Sequence, residues 1–193
     1  FISVGILAII IIFQQELRQF LLSIGEKANI DKPKRWLEKL MTIRHEEREP
    51  LRIDEICTAT INLASRKEGA LIIIQRISDL THHLHNSTKL NADILAPLIE
   101  GVFHKDNSMH DGAMYIAMGR IRAVRCVLPA TQRNDLPADT GMRHRAALGL
   151  AEKTDALVIV VSEETGLISI ARDGELNRGI APEDLKDIIK KAV

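Results

Sequence analysis

The stretch Ala156-Leu157-Val158-Ile159-Val160-Val161-Ser162-Glu163-Glu164-Thr165-Gly166 joins a near-continuous β-branched run to an acidic turn. Six apolar residues without polar alternation are what a strand buried on both faces looks like. Carboxylates at the end of such a strand are well placed for a ligand, because open α/β sheets bind there. Taken alone, residues 162–166 are equally a polar hairpin turn. Downstream, Leu167, Ile168 and Ile170 give another strand and Asp173-Gly174 another turn. Ala181-Pro182-Glu183-Asp184 then opens a last helix with Leu185, Ile188 and Ile189 inward, since proline and acids favour a first helical turn.

Just upstream lies Gly141-Met142-Arg143-His144-Arg145-Ala146-Ala147. Asp139-Thr140-Gly141 can cap a helix, and good helix formers continue to Ala151. The Arg-His-Arg run therefore falls in a first turn, where free N–H groups and the helix dipole favour an anion. Arginine adds a planar fork that matches phosphate oxygens in pairs. Successive helical residues fan out by about 100°. The three side chains cannot share one face, which leaves one arginine for a partner or a fold contact. By itself the run is equally a solvated basic turn.

Before it, Ser108-Met109-His110-Asp111-Gly112-Ala113 leads into an apolar run, Met114–Met118. Gly119-Arg120 separates that run from Ile121–Leu128, a hairpin with glycine at the first turn position. His110-Asp111 sits where a loop enters a strand, and such a pair can ligate a divalent metal or handle a proton. Gly112 lets a ligand approach its backbone. Asp-Gly is also a common turn before a strand. Pro129–Thr140 is a surface excursion.

Nearer the N-terminus, Ile53, Ile56, Cys57, Thr60, Leu63 and Ala64 describe an amphipathic helix with Gly69 as its stop signal. Ala70–Ile74 is a buried strand. His82, His83 and His85 lack the cysteine or carboxylate support of a zinc site and read as surface loop. Ala92–Val102 has helical spacing, with Asn91 as its cap and a kink at Pro97.

Composition limits the function classes. The 193 residues suggest one domain plus an appendage, and 46% apolar content is enough for a core. Charges balance at 26 against 26, and one Trp, one Tyr and four Phe make a poor stacking platform, so nucleic acid is not an expected partner. Cys57 and Cys126 show no metal spacing and read as buried and reduced. Residues 1–13 are apolar apart from Ser3 and Gly5, shorter than the ~20 residues that span a bilayer. Without a basic start or cleavage site they do not resemble a signal peptide. They read either as the tail of a transmembrane helix or as a buried helix, and the first is preferred. The chain starts with Phe, so it reads as a piece of a longer one. Phe13, Leu17, Phe20, Leu21 and Ile24 continue at helical spacing among polar residues. Arg18, Lys27, Lys32, Lys34 and Arg35 put the following side in the cytoplasm. The expected organisation is a transmembrane tail and amphipathic extension over 1–25, a charged linker over 26–50, and a compact domain over 51–193.

Together the three charged groups offer a metal-binding carboxylate, a phosphate-binding helix start and a second pair of carboxylates, a set suited to nucleotide chemistry. Asp111-Gly112-Ala113 with Arg143-His144-Arg145 resembles the paired DGA and RHR motifs of diadenylate cyclases. His110, the run RHRAALG from Arg143 to Gly149, and TDALVIVVSEETGLISIA from Thr154 to Ala171 extend the likeness over most of residues 51–180. The apolar tail followed by Phe13-Gln14-Gln15-Glu16-Leu17-Arg18 resembles the membrane-anchored, CdaA-like class. The resemblance implies an α/β fold with a mixed sheet flanked by helices, which suits the tally of strands and helices above. It implies condensation of two ATP into cyclic di-AMP with release of two pyrophosphates, using Mg²⁺ or Mn²⁺, between two domains of a face-to-face homodimer at the cell membrane. Asp111 and His110 would hold the metal, with Asp111 also activating a ribose 3′-hydroxyl. Gly112 and Ala113 would pack against the nucleotide, and Arg143, His144 and Arg145 would orient phosphates. Ser162 and Glu163 would contact the nucleotide, and Glu164 would assist the metal or the catalytic geometry. Met142 stands at a nucleotide-contacting position where relatives often carry Thr. The alternatives are a non-catalytic adenine-nucleotide sensor and a His-Asp phosphohydrolase, which would need more histidines and acids on helices.

Overall fold

Where the sequence is continuously apolar, strands are buried on both faces. The computed structural model describes residues 49–137 and 140–193, and in it β1 (Ala70–Ile74), β3 (Ala113–Ala117) and β5 (Leu157–Val161) have every residue buried. With β2 (Thr88–Asp93), β4 (Arg120–Cys126), β6 (Ile168–Arg172) and β7 (Glu175–Ile180) they form a seven-stranded sheet, ordered β2-β4-β3-β1-β5-β6-β7. β1 and β3 are parallel and every other neighbouring pair is antiparallel. The sheet is therefore mixed, as expected.

Strand alternation divides the core in two. Ile72, Ile74, Leu157, Ile159 and Val161 face one layer, which contains α1 (Ile53–Arg66), α2 (Ala96–Phe103) and α4 (Pro182–Ala192). Leu71, Ile73, Val158 and Val160 face the other, covered by α3 (Met142–Ala151) and by Leu80. α3 lies close against the preceding loop because Gly149 has no side chain; a Cβ there would fall on the backbone of residues 129–131. Asp155, at the start of β5, accepts the amides of Ile77 and Ser78 at 3.0 and 3.1 Å, tying down the loop after β1. Burial opposes its ionisation, but those amides outweigh it and hold the carboxyl below its ordinary range.

Several expectations need correction. Residues 92–93 belong to β2, not to a helix, and α2 begins at Ala96. Pro97 thus falls in the first turn, where a missing N–H costs nothing, and the expected kink disappears. Asn91 is no cap: it has φ 52° inside a bulge of β2. The capping contact comes from α1 instead, with the Ala96 amide donating to Glu55 Oε2 at 2.7 Å. α1 is closed by Lys67 in the left-handed conformation, with Gly69 two residues further on. In the β3–β4 hairpin Met118 (φ 53°) takes the first turn position and Gly119 (φ 75°) the second, the pair of positive φ values a type I′ turn requires. A Cβ on Gly119 would fall on the Glu49 carbonyl, and Glu49 also accepts from Arg120 at 2.8 Å. β7 has no counterpart in the sequence reading. It is an edge strand whose residues are exposed in alternation, so its apolar signal is weak.

The expectations for residues 1–25 and 26–48 lie outside the described residues. Among the described residues no helix is long and apolar enough to cross a membrane.

Ile159 is fully buried at the centre of the sheet, whereas Ile77 is 83% exposed. Ile159→Ala is expected to cost about 2–5 kcal/mol in urea unfolding through lost contacts and a residual cavity. Ile77→Ala is expected to stay within about 0.5 kcal/mol of wild type.

Candidate functional site

The mixed topology brings four strand ends to one edge of the sheet. β1 and β3 start there; β4 and β5, running antiparallel to them, finish there. The first turn of α3 reaches the same edge, and between them lies an open cleft of about 730 Å³. One wall carries His110, Asp111 and Gly112 from the entrance to β3. The lining also takes Met142, Arg143 and His144 from α3, and Ser162, Glu163 and Glu164 after β5. The floor is apolar, made by Leu71, Cys126, Val127, Leu128, Ala146 and Val161.

Asp111 is exposed and Gly112 is half-buried. Gly112 has φ 117°, and a Cβ on it would lie 2.8 Å from the Arg125 backbone. Glycine is therefore demanded by the neighbouring strand. Behind Asp111, the His110 ring makes a 2.6 Å hydrogen bond through Nδ1 to the Asn107 carbonyl. A carbonyl only accepts, so Nδ1 carries a proton, and in the neutral ring Nε2 is the nitrogen with the lone pair. Backbone orientation of the far ring nitrogen is the usual support of a metal-binding histidine, so the donor set of His110 Nε2 and the Asp111 carboxylate suits a divalent cation. Among the described residues no group of three or more His, Cys, Asp or Glu side chains converges on one point. The remaining donors would have to come from a ligand, water or another chain.

The Arg-His-Arg run divides as helical geometry requires. Gly141 is the cap residue of α3 and makes no side-chain capping bond. Arg143 Nη1 donates to Glu163 Oε2 at 2.6 Å, an ion pair that joins the helix tip to the β5–β6 turn. His144 is 5% exposed, and its Nε2 lies 3.2 Å from the buried Ser169 hydroxyl on β6, anchoring α3 to the sheet. Arg145 turns away from the cleft. Its guanidinium donates to the Arg133 carbonyl at 3.4 Å, and its own carbonyl accepts the Thr131 amide at 3.0 Å. It is the arginine used for a fold contact, stapling the Pro129–Pro137 loop to the helix. Ala113 is buried at the start of β3 and does not line the cleft. The other residues singled out from the sequence share it.

Sequence reasoning missed the floor. Leu71, Cys126, Val127 and Leu128 are ordinary strand-end residues, and only the pairing of β1, β3 and β4 brings them under the charged groups.

Residues 57–176 match the DAC family, described as DisA bacterial checkpoint controller nucleotide-binding. The chain belongs to this family. It is similar to the cyclic di-AMP synthase CdaA of Bacillus subtilis, 36% identical over 98% of this chain and 66% of the relative. A diadenylate cyclase of Listeria monocytogenes is 38% identical over 97% of this chain and 66% of its own length. The chain thus spans a little under two thirds of these curated relatives. A crystal structure of a double mutant of DacA from Staphylococcus aureus superposes with a TM-score of 0.71 and 34% identity, covering 72% of this chain and 93% of that one. A structure of a hypothetical membrane spanning protein from Bacillus cereus gives 0.65 and 42% identity, covering 66% and 63%. The DAC fold is therefore the fold of this chain.

Within this DAC domain the floor of the cleft stays apolar at working pH. Burial pushes the Cys126 thiol up to about 11, and burial also raises Cys57. Cys126 is 1% exposed and Cys57 7%. Neither thiol should react with Ellman's reagent in the native protein at about pH 8, and both should react after unfolding in urea. Rapid native labelling of Cys126 would show that the floor opens.

Proposed function

We propose that the chain is a diadenylate cyclase, which joins two ATP into cyclic di-AMP and releases two pyrophosphates. One observation carries this: Asp111 and Arg143 line one cleft, together with the apolar residues Leu71, Cys126 and Val161. Apolar lining suits a base, and charged groups of both signs suit a triphosphate and its counter-cation. The relatives named as cyclic di-AMP synthase or diadenylate cyclase support the same reading.

A cleft of about 730 Å³ is the size of a site for one nucleotide. A product made from two nucleotides then requires a second copy of the chain, facing the first. Met142 is 74% exposed at the cleft, so its rim offers apolar surface to such a copy. In each half-reaction the ribose 3′-hydroxyl of one ATP attacks the α-phosphorus of the other. The new 3′–5′ ester bond forms, the α–β anhydride bond breaks, and pyrophosphate leaves with its electron pair.

Asp111 and His110 would hold Mg²⁺ or Mn²⁺, which supplies neutralisation of the triphosphate and polarisation of the attacked phosphoryl group. Asp111 also stands as acceptor for the hydroxyl proton. Arg143 presents its fork to phosphate oxygens, and the free amides at the start of α3 add partial positive charge. His144, bonded to Ser169, fixes the rotation of α3 so that Arg143 points inward. Ser162 offers a hydroxyl to the nucleotide, Glu163 orients Arg143, and Glu164 adds a carboxylate near the cation. Arg145 shapes the neighbouring loop through its bond to the Arg133 carbonyl. The membrane-spanning description of the Bacillus cereus protein and the likeness to CdaA support attachment of the full-length protein to a membrane, and the basic residues Arg18, Lys27, Lys32, Lys34 and Arg35 favour a cytoplasmic side for this domain.

Incubation with ATP and Mn²⁺, followed by chromatography and mass spectrometry, should yield cyclic di-AMP. Asp111→Asn should lower the rate by about 10³-fold or more with an unchanged melting temperature. Bound but unconverted ATP in the wild-type protein would instead identify a sensor. Specific activity should also fall on dilution, because two chains share the reaction; a constant value down to nanomolar protein would speak against the facing pair.

A further inference from the structure

Gly69 is buried between α1 and β1, yet its backbone does not ask for glycine. The left-handed residue that ends α1 is Lys67, and Gly69 has no positive φ. What a side chain at 69 would meet is the cleft. A Cβ there would lie 2.5 Å from Arg143 Nη1, 2.9 Å from Arg143 Cζ and 3.0 Å from Glu163 Oε2. These atoms belong to the 2.6 Å ion pair across the site.

The backbone at 69 is held on both sides. The Lys67 and Glu68 amides donate to the carbonyls of Ala64 and Leu63 at 3.1 and 2.9 Å, and Ala70 is paired with Val161. The far end of the ion pair is referenced to the same helix end. Gly166 (φ 76°) closes the turn that carries Glu163, and a Cβ on it would lie 2.6 Å from the Ala64 carbonyl oxygen. The last turn of α1 therefore supports both the seat beneath Arg143 and the loop of its partner. Of the two groups that would collide in an alanine variant, the held backbone cannot yield and the end of a long side chain can.

We infer that Gly69 is a positioning residue: its missing side chain seats the Arg143 guanidinium against Glu163 at the phosphate-binding wall. The inference rests on the cyclase reading for its consequence, and on the geometry of α1, β1 and α3 for its cause. Displacing a fork by an ångström disrupts paired recognition of phosphate oxygens while leaving the core untouched.

The test compares Gly69→Ala with Gly101→Ala, a helical glycine with nothing within 4 Å of an added Cβ. Gly69→Ala should keep the wild-type melting temperature but bind ATP about tenfold more weakly or worse, with KM rising in step. Gly101→Ala should bind as wild type. In an Arg143→Ala background, Gly69→Ala should add no further loss, the mark of two residues acting through one contact. The side-chain nitrogen NMR signal of Arg143, assigned through Arg143→Lys, should shift in Gly69→Ala without any ligand. Wild-type ATP affinity in Gly69→Ala, or an equal loss in the Arg143→Ala background, overturns the inference. If the wild-type chain binds no ATP, the cyclase reading fails by itself, and the ligand-free arginine signal still decides the seating.

Discussion

Ile72 faces Met114 on one side and Ile159 on the other, and this register across β1 fixes everything built at the edge of the sheet. β1 is parallel to β3 and antiparallel to β5, so two strand beginnings and one strand ending meet at the same place. The residues of all three strands are buried on both faces, which makes a slip by one position costly: each apolar side chain would change layers. The Asp111 loop, the Glu163 turn and the floor residue Leu71 are consequences of that alignment. A fully parallel sheet would have sent Asp111 and Glu163 to opposite edges.

The cleft sets charges of both signs on a neutral base. Its anchoring contacts differ in kind from its exposed groups. His144 is tied inward to Ser169, Arg145 outward to the Arg133 carbonyl, and Arg143 sideways to Glu163. Three consecutive residues thus hold α3 from three directions. Asp111 and Glu164, in contrast, are exposed and free to meet a cation or a ligand. An anion approaching Arg143 finds a carboxylate already there, so it must either displace Glu163 or share the guanidinium with it.

How much of this could be read from the chain depended on burial. β1 and β5 were legible because unbroken apolar runs have one structural explanation, and α1 and α4 because their stripes are regular. α2 was misplaced because Ile94, Leu95 and Leu98 keep helical spacing while Asn91 looks like a cap. The tertiary contact that starts the helix at Ala96, from Glu55, is 41 residues away and leaves no local trace. β7 escaped because an edge strand needs little apolar content. At the site, the 100° step between helical residues announced that one arginine of the pair would diverge. Only the packing of α3 against the loop of Thr131 and Arg133 decides that it is Arg145. The role of Gly69 was hidden for the same reason: a glycine after a helix looks like a stop signal, and its real neighbour lies 74 positions further along the sequence.

The hairpin between β3 and β4 gives the domain a polarity. Gly119 and Arg120 lie at the end of the sheet away from Asp111 and Cys126, and it is there that Glu49 rests on them. The polypeptide accordingly enters the described fold at the pole opposite the cleft. Among the described residues, the first contact of the chain and the mouth of the cleft thus lie at opposite ends of the β3–β4 ladder.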